Sequence, residues 1–238
     1  MDLLKLVCFI LIDLTMVLCT YKVLGKIGIV IMYIIHIIIS QLVIKLQIQV
    51  LGLDIAIGSM AYAVLFLTMD MMNELYGKKN AMKLVDIGLA TLITFLIIIY
   101  LIKYISINND NEYINSFNTL LSNQWRIIVS DIIISYCVFQ KINVLIFDVI
   151  RKITGEKLLW LRNNISTIIC QIATAFLFYE FAFAGILEQK IIIQIIIGGL
   201  IVKLFVTLLE TPFLYISKKI KPRGNYYERR KIRFSKYQ

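Results

Sequence analysis

Apolar and polar positions along this chain separate into long runs rather than alternating residue by residue. Seven apolar runs stand out, at 3–24, 28–46, 55–75, 82–104, 126–150, 165–187 and 191–217. Each is long enough to cross a hydrocarbon layer of about 30 Å as a tilted helix. The runs are continuously apolar, so the pattern predicts helices and not the strands of a barrel. The third run is the weakest, being flanked by Asp54 and interrupted by Gly58 and Asp70. The first run could be taken for a signal peptide. Its leading charges Asp2 and Lys5 cancel, and no A-x-A-like site follows, so it reads as an uncleaved helix.

The polar breaks between the runs carry a second pattern. Lys22 and Lys26 follow the first run, and Lys78, Lys79 and Lys83 the third. Arg151, Lys152, Lys157 and Arg162 follow the fifth. The segment after the seventh is the most basic: residues 218–237 hold nine Lys/Arg against one Glu. The stretch 108–124 has no Lys or Arg at all. Every second connection is therefore basic, and basic connections stay in the cytoplasm. The expected arrangement is seven spans in the cytoplasmic membrane, with the N-terminus outside and the C-terminus inside.

Composition agrees with this reading. The chain has 238 residues, 60% of them hydrophobic, and a mean hydropathy of +0.83. One core of a soluble domain could not hide so much apolar surface. The net charge of +10 resides mostly in the tail. Directly after a membrane helix, such a tail suits topology and attraction to anionic lipid, and no nucleic-acid partner is expected. Four scattered cysteines form no C-x-x-C pair, so they read as small apolar packing residues, with no metal or cofactor implied. The single histidine, His36, lies in an apolar run and reads as a packing residue. No P-loop signature occurs.

Against this background, ionisable residues inside the runs are conspicuous. On insertion scales each costs about 2.5–3.5 kcal/mol at a span centre, and such residues face polar cavities or pair with one another. Asp13, Asp70, Glu74, Asp131, Lys141, Asp148, Glu180, Lys203 and Glu210 qualify. Asp70 and Glu74 are four apart and share a helical face. Asn163, Thr167, Gln171 and Thr174 form one stripe on the sixth run. Gln140 and Asn143 are three apart in the fifth, and Lys203 and Glu210 two turns apart in the seventh. Taken singly, each residue reads equally as glue between helices. Four inward patches together point to a polar chamber near the membrane midplane. Amides and carboxylates suit a planar heterocycle, whose faces Phe and Tyr can stack against. Lys203 is the expected partner of Asp70.

Four blocks carry a family resemblance. They are FLTMDMMNELYGKKNA (66–81), FQKINVLIF (139–147), LLWLRNNISTIICQ (158–171) and KLFVTLLETPFLYISKK (203–219). In this order they resemble the VUT/YhhQ family of membrane proteins, the queuosine precursor transporters. The resemblance implies a six-helix transporter core, here 28–217, preceded by an extra transmembrane helix at 1–27 and followed by a basic cytoplasmic tail at 218–238. It implies uptake of guanine-like deazaguanine bases. It places Asp70 and Glu74 in the transport site or its gate, with Asn164 beside the polar stripe. The family commonly has acids where this chain has Asn143 and Thr174.

The expected function is therefore import of a small-molecule substrate, a guanine-like base. The expected substrate-binding residues are Asp70, Glu74, Gln140, Asn143, Asn163, Asn164, Gln171, Lys203 and Glu210. The alternative is the substrate-binding subunit of a vitamin importer that borrows an ATPase module from other chains. A homo-oligomer is compatible with either. An intramembrane enzyme is disfavoured, since the chain has no histidine pair, no H-E-x-x-H and no G-x-S-x-G. A purely structural protein would not need four convergent polar patches.

Overall fold

The computed structural model describes residues 2–50, 53–106, 111–155, 157–183 and 185–223. Residues 224–238, with five Lys/Arg and one Glu, lie outside the described residues. Helix α1 (Asp2–Leu24) turns at Gly25 into α2 (Lys26–Val43). A short antiparallel hairpin follows, β1 (Gln47–Val50) with β2 (Leu53–Ala56), in the register Gln47↔Ala56 to Val50↔Leu53. Then come α3 (Gly58–Tyr76) and α4 (Lys78–Ser106). A surface helix α5 (Glu112–Leu120) precedes α6 (Gln124–Ser130), which runs on through a π-helical stretch, Asp131–Phe139, into α7 (Gln140–Thr154). Helices α8 (Leu159–Phe183) and α9 (Gln189–Lys219) complete the chain.

The hairpin is where the helical expectation was too broad. The third apolar run was read as starting at 55, yet 53–56 is a strand and the helix starts at Gly58. Gly58 has a packing reason: a Cβ there would lie 2.8 Å from the Cα of Ile44, the residue that caps α2. The helix ends at Gly77, whose φ of 85° suits glycine and whose N–H donates to the Asn73 carbonyl at 3.0 Å.

Among the described residues six helical stretches are long and apolar enough to cross a membrane, and α3 is not one of them. The reason is its position. Packed against α1, α2, α4, α7 and α9, α3 is buried without a break from Ala61 to Gly77. Other helices shield it from lipid, so it can afford Asp70, Asn73 and Glu74. Its 19 residues still span about 28 Å at 1.5 Å per residue.

Helix α8 shows how the bundle sorts its surfaces. Asn163, Thr167, Gln171 and Thr174 are buried, while Ile165, Ile169, Ile172 and Phe176 are exposed on the outside. A soluble helix would do the reverse. An apolar exterior over a polar stripe is what lipid as solvent selects.

The basic connections gather at one end. Lys26 donates to Asn80 at 2.9 Å, and the backbone N–H of Arg223 to the Lys22 carbonyl at 3.0 Å. The opposite end has its own ties. Lys45 reaches the Leu120 and Ser122 carbonyls, and Arg126 the Phe181 carbonyl at 3.3 Å. Helix α1 begins at the end opposite Arg223, whose N–H meets Lys22 near the end of that helix.

Candidate functional site

Buried polar side chains form a file through the bundle beside α3. At the basic end sits Glu74. Nη2 of Arg162 on α8 donates to both of its oxygens at 2.8 Å, and Lys218 of α9 donates to one at 2.9 Å. Arg151 of α7 stands 3.9 Å from the carboxylate and donates to the Asn73 carbonyl at 3.2 Å. Arg162 is fully buried. Its Nη1 also reaches the carbonyls of Gly155 and Lys157, and its guanidinium lies over the Phe147 ring, 5.7 Å from the centroid. One carboxylate thus joins four helices.

One turn deeper lies Asp70. Its Oδ2 has no hydrogen-bond partner, and it interacts electrostatically with Glu74 and with Glu210 of α9. Glu210 is fully buried, and neither of its oxygens meets the hydrogen-bond geometry with any donor. Asn163 is a polar neighbour of Glu210. Asn163 and Asn164 each donate to the hydroxyl of Thr211 at 3.2 Å, which leaves both amide oxygens unpartnered.

Deeper again is a small cavity, about 20 Å³, bordered by Gln140, Asn143, Gln171 and Lys203 and by the rings of Tyr62, Phe139 and Phe178. The oxygens Asn143 Oδ1 and Gln171 Oε1 lack partners there. Pockets for small molecules run to about 300–1,000 Å³. The cavity holds about one water, so this conformation is closed.

Lys203 does not pair with Asp70, as the sequence suggested. Its ammonium stands over the Tyr62 ring, 4.7 Å from the centroid, and its electrostatic partner is Asp131. Asp131 opens the π-helical stretch and accepts from Gln41 of α2 at 2.7 Å. The wide π turn lets Asp131, Ser135 and Phe139, at intervals of four, look toward the bundle interior; such turns recur at functional sites. Tyr33 and Tyr136 meet edge to face beside it, 6.5 Å between centroids.

All nine residues expected at the site are buried. Seven of them meet at the cavity and at the Asp70 level below it. Glu74 is set apart by its three basic partners, and Asn164 faces Thr211. The sequence reading missed Arg162, which it counted only as a loop charge, and Gln41, an amide in an apolar run. Neither carries a local signal, since their partners are 88 and 90 residues away. Other candidates settle elsewhere. Asp13 accepts from His36 at 2.9 Å, which ties α1 to α2 and gives the histidine more than a packing role. Lys141 meets Asp86 at 3.4 Å and Glu180 accepts from Gln189 at 2.6 Å, both toward the surface, while the buried Asp148 meets the exposed Lys152 at 3.4 Å.

Comparison with known proteins adds the following. The profile of the family described as "Putative vitamin uptake transporter" matches residues 56–217. A protein of Bacillus subtilis (strain 168) named "Probable queuosine precursor transporter" is 27% identical over 215 residues, covering 90% of this chain and 93% of that one. No solved structure matches the chain.

Proposed function

This chain belongs to the family described as "Putative vitamin uptake transporter", and we propose that within it the protein imports queuosine precursors, deazaguanine bases, across the cytoplasmic membrane. The observation that carries the reading is a surplus of buried acceptors. Asn143, Gln171, Asn163, Asn164, Asp70 and Glu210 all hold oxygens without donors. An unpaired buried acceptor costs about 1–3 kcal/mol. A ligand rich in N–H groups relieves that cost, and the amino-lactam edge of a guanine-like base presents adjacent N–H donors. The name of the Bacillus subtilis relative supports the same class.

In this reading the base docks at Gln140, Asn143, Gln171 and Lys203, between the rings of Tyr62, Phe139 and Phe178. Asp70, Glu210 and Asn163 form the next station toward the basic end, with Asn164 beside it on Thr211. The cluster on Glu74 is the inner gate: it closes α3, α7, α8 and α9 together below that station. The basic end faces the cytoplasm, by the preference of Lys and Arg for that side. Import requires the closed cavity to widen first outward, then inward past the gate.

Uptake of a labelled deazaguanine base tests this, in cells unable to make the base and expressing the protein. Accumulation above that of cells carrying an empty vector is expected. Equal accumulation in both, with the protein present in the membrane, overturns the reading. An ATPase module that copurifies with the chain would assign it instead to the subunit class of importer.

A further inference from the structure

We propose that Asp70 and Glu210 form a proton-binding pair that couples movement of the substrate to movement of a proton. The inference rests on the transport reading above and adds its energy source.

The two acids come from different helices, α3 and α9, and both are at least 98% buried. They lie within electrostatic range of each other. Asp70 Oδ2 and both Glu210 oxygens have no donor. Two carboxylates in one dry site cannot both stay ionised without a cation. Among the described residues none serves. Arg162 of α8, Lys218 of α9 and Arg151 of α7 converge on Glu74. Lys203 of α9 faces Asp131, the π-stretch acid that Gln41 of α2 also holds. On α1 and α2, Asp13 and His36 are occupied with each other, and Asp86 of α4 meets Lys141 at the surface. The titratable neighbours that remain are Glu74, an acid, and the Cys170 thiol.

A second observation points to the same ligand. Asn163 and Thr167 of α8 are fully buried, one turn apart, and each keeps an unpartnered oxygen. Asn163 is the polar neighbour of Glu210. Asn163 Oδ1 and the carboxylate oxygens are thus acceptors in want of a hydrogen, with the Thr167 hydroxyl able to accept as well as donate. A proton on either carboxyl supplies it: the new O–H donates to a neighbouring oxygen, and the pair keeps a single negative charge.

The step is a protonation only. Hydronium on the outer side gives up the proton while the cavity is open outward: one of its O–H bonds breaks, one O–H bond forms on the pair, and water is left behind. When the Glu74 gate parts, water from the basic end reaches the pair and takes the proton back. The ion-paired Glu74 carboxylate is not the acceptor, since Arg162 and Lys218 occupy its lone pairs.

Purified protein in liposomes tests this, with labelled base outside and imposed gradients of pH or of sodium. Coupled one to one, a gradient of one pH unit, acid outside, sustains about a tenfold accumulation. Sodium at equal pH should sustain none. In Asp70→Asn and Glu210→Gln, the ratio of accumulation with the pH gradient to that without should fall to one, whatever transport remains. Wild-type protein that exchanges labelled for unlabelled base but ignores the pH gradient, or follows sodium instead, overturns the coupling and leaves the cargo assignment standing. Both variants keeping the wild-type ratio also overturns it. Wild-type protein that neither binds nor exchanges the base removes the cargo assignment, and the coupling with it.

Discussion

Arg162 and Glu74, 88 residues apart, hold each other in the driest part of the basic end: one guanidinium nitrogen lies 2.8 Å from both carboxylate oxygens, and the side chains are 0% and 1% exposed. Removing one partner of such a pair strands the other, at about 3–5 kcal/mol. Arg162→Met and Glu74→Gln should therefore each lower the thermal midpoint of the detergent-solubilised protein by many degrees. Lys218 is a third exposed, so Lys218→Met should cost no more than about 1 kcal/mol. Equal loss in all three variants would show that the cluster has no such hierarchy.

Gln171 faces the cavity with its amide oxygen free. Gln171→Leu fills similar volume and removes the acceptor. Membrane levels should stay near wild type while affinity for the base weakens by roughly 1–3 kcal/mol. Initial uptake rates across a substrate series give the number. An unchanged half-saturation concentration takes Gln171 out of the site.

Lys203 and Asp131 are buried opposite charges that act on each other beside the cavity. Lys203→Met alone leaves an acid unbalanced, and Asp131→Asn alone leaves an ammonium. The double variant should be more stable than the sum of the single losses, with a coupling of about 0.5–3 kcal/mol in a double-mutant cycle. Transport should stay low in the double variant, because the cavity has lost its donor. Additive losses would mean that the two charges do not sense each other.

Helix α4 passes so close to α2 and the π stretch that a Cβ at Gly88 would run into the Tyr136 ring and come within 3.0 Å of Tyr33. Gly88→Val should destabilise by about 1–3 kcal/mol through overpacking. Pairing it with Tyr136→Ala should recover part of that loss in the same thermal assay. Failure to recover any would place the strain elsewhere.

The proposed orientation, with the basic end inside, makes the two ends differ in access. Ser122 should be extracytoplasmic and Lys79 cytoplasmic. In a background without native cysteines, Ser122→Cys should react with an impermeant maleimide on intact cells. Lys79→Cys should react only after permeabilisation. The reverse pattern inverts the orientation.

The sequence by itself determined the class of the fold. Run length and continuous apolarity dictate helices, because lipid offers no partner for a free backbone N–H or C=O. The alternation of basic connections anticipated which ends lie together, and the contacts of Lys26, Asn80 and Arg223 agree. The inward stripe on α8 was legible for the same reason: spacings of three and four name a face, whatever it packs against. Tertiary structure decided the partners. Asp70 and Glu74 share one face of α3, yet three cations from three other helices converge on Glu74 and none reaches Asp70. Lys203, an obvious match for Asp70 by depth, instead faces Asp131, because the π stretch turns that acid inward. Arg162 read as a loop charge until packing buried it. Periodicity fixes the direction of a side chain from its own helix; the pairing of charges depends on how helices distant in sequence cross and rotate, and no local pattern records that.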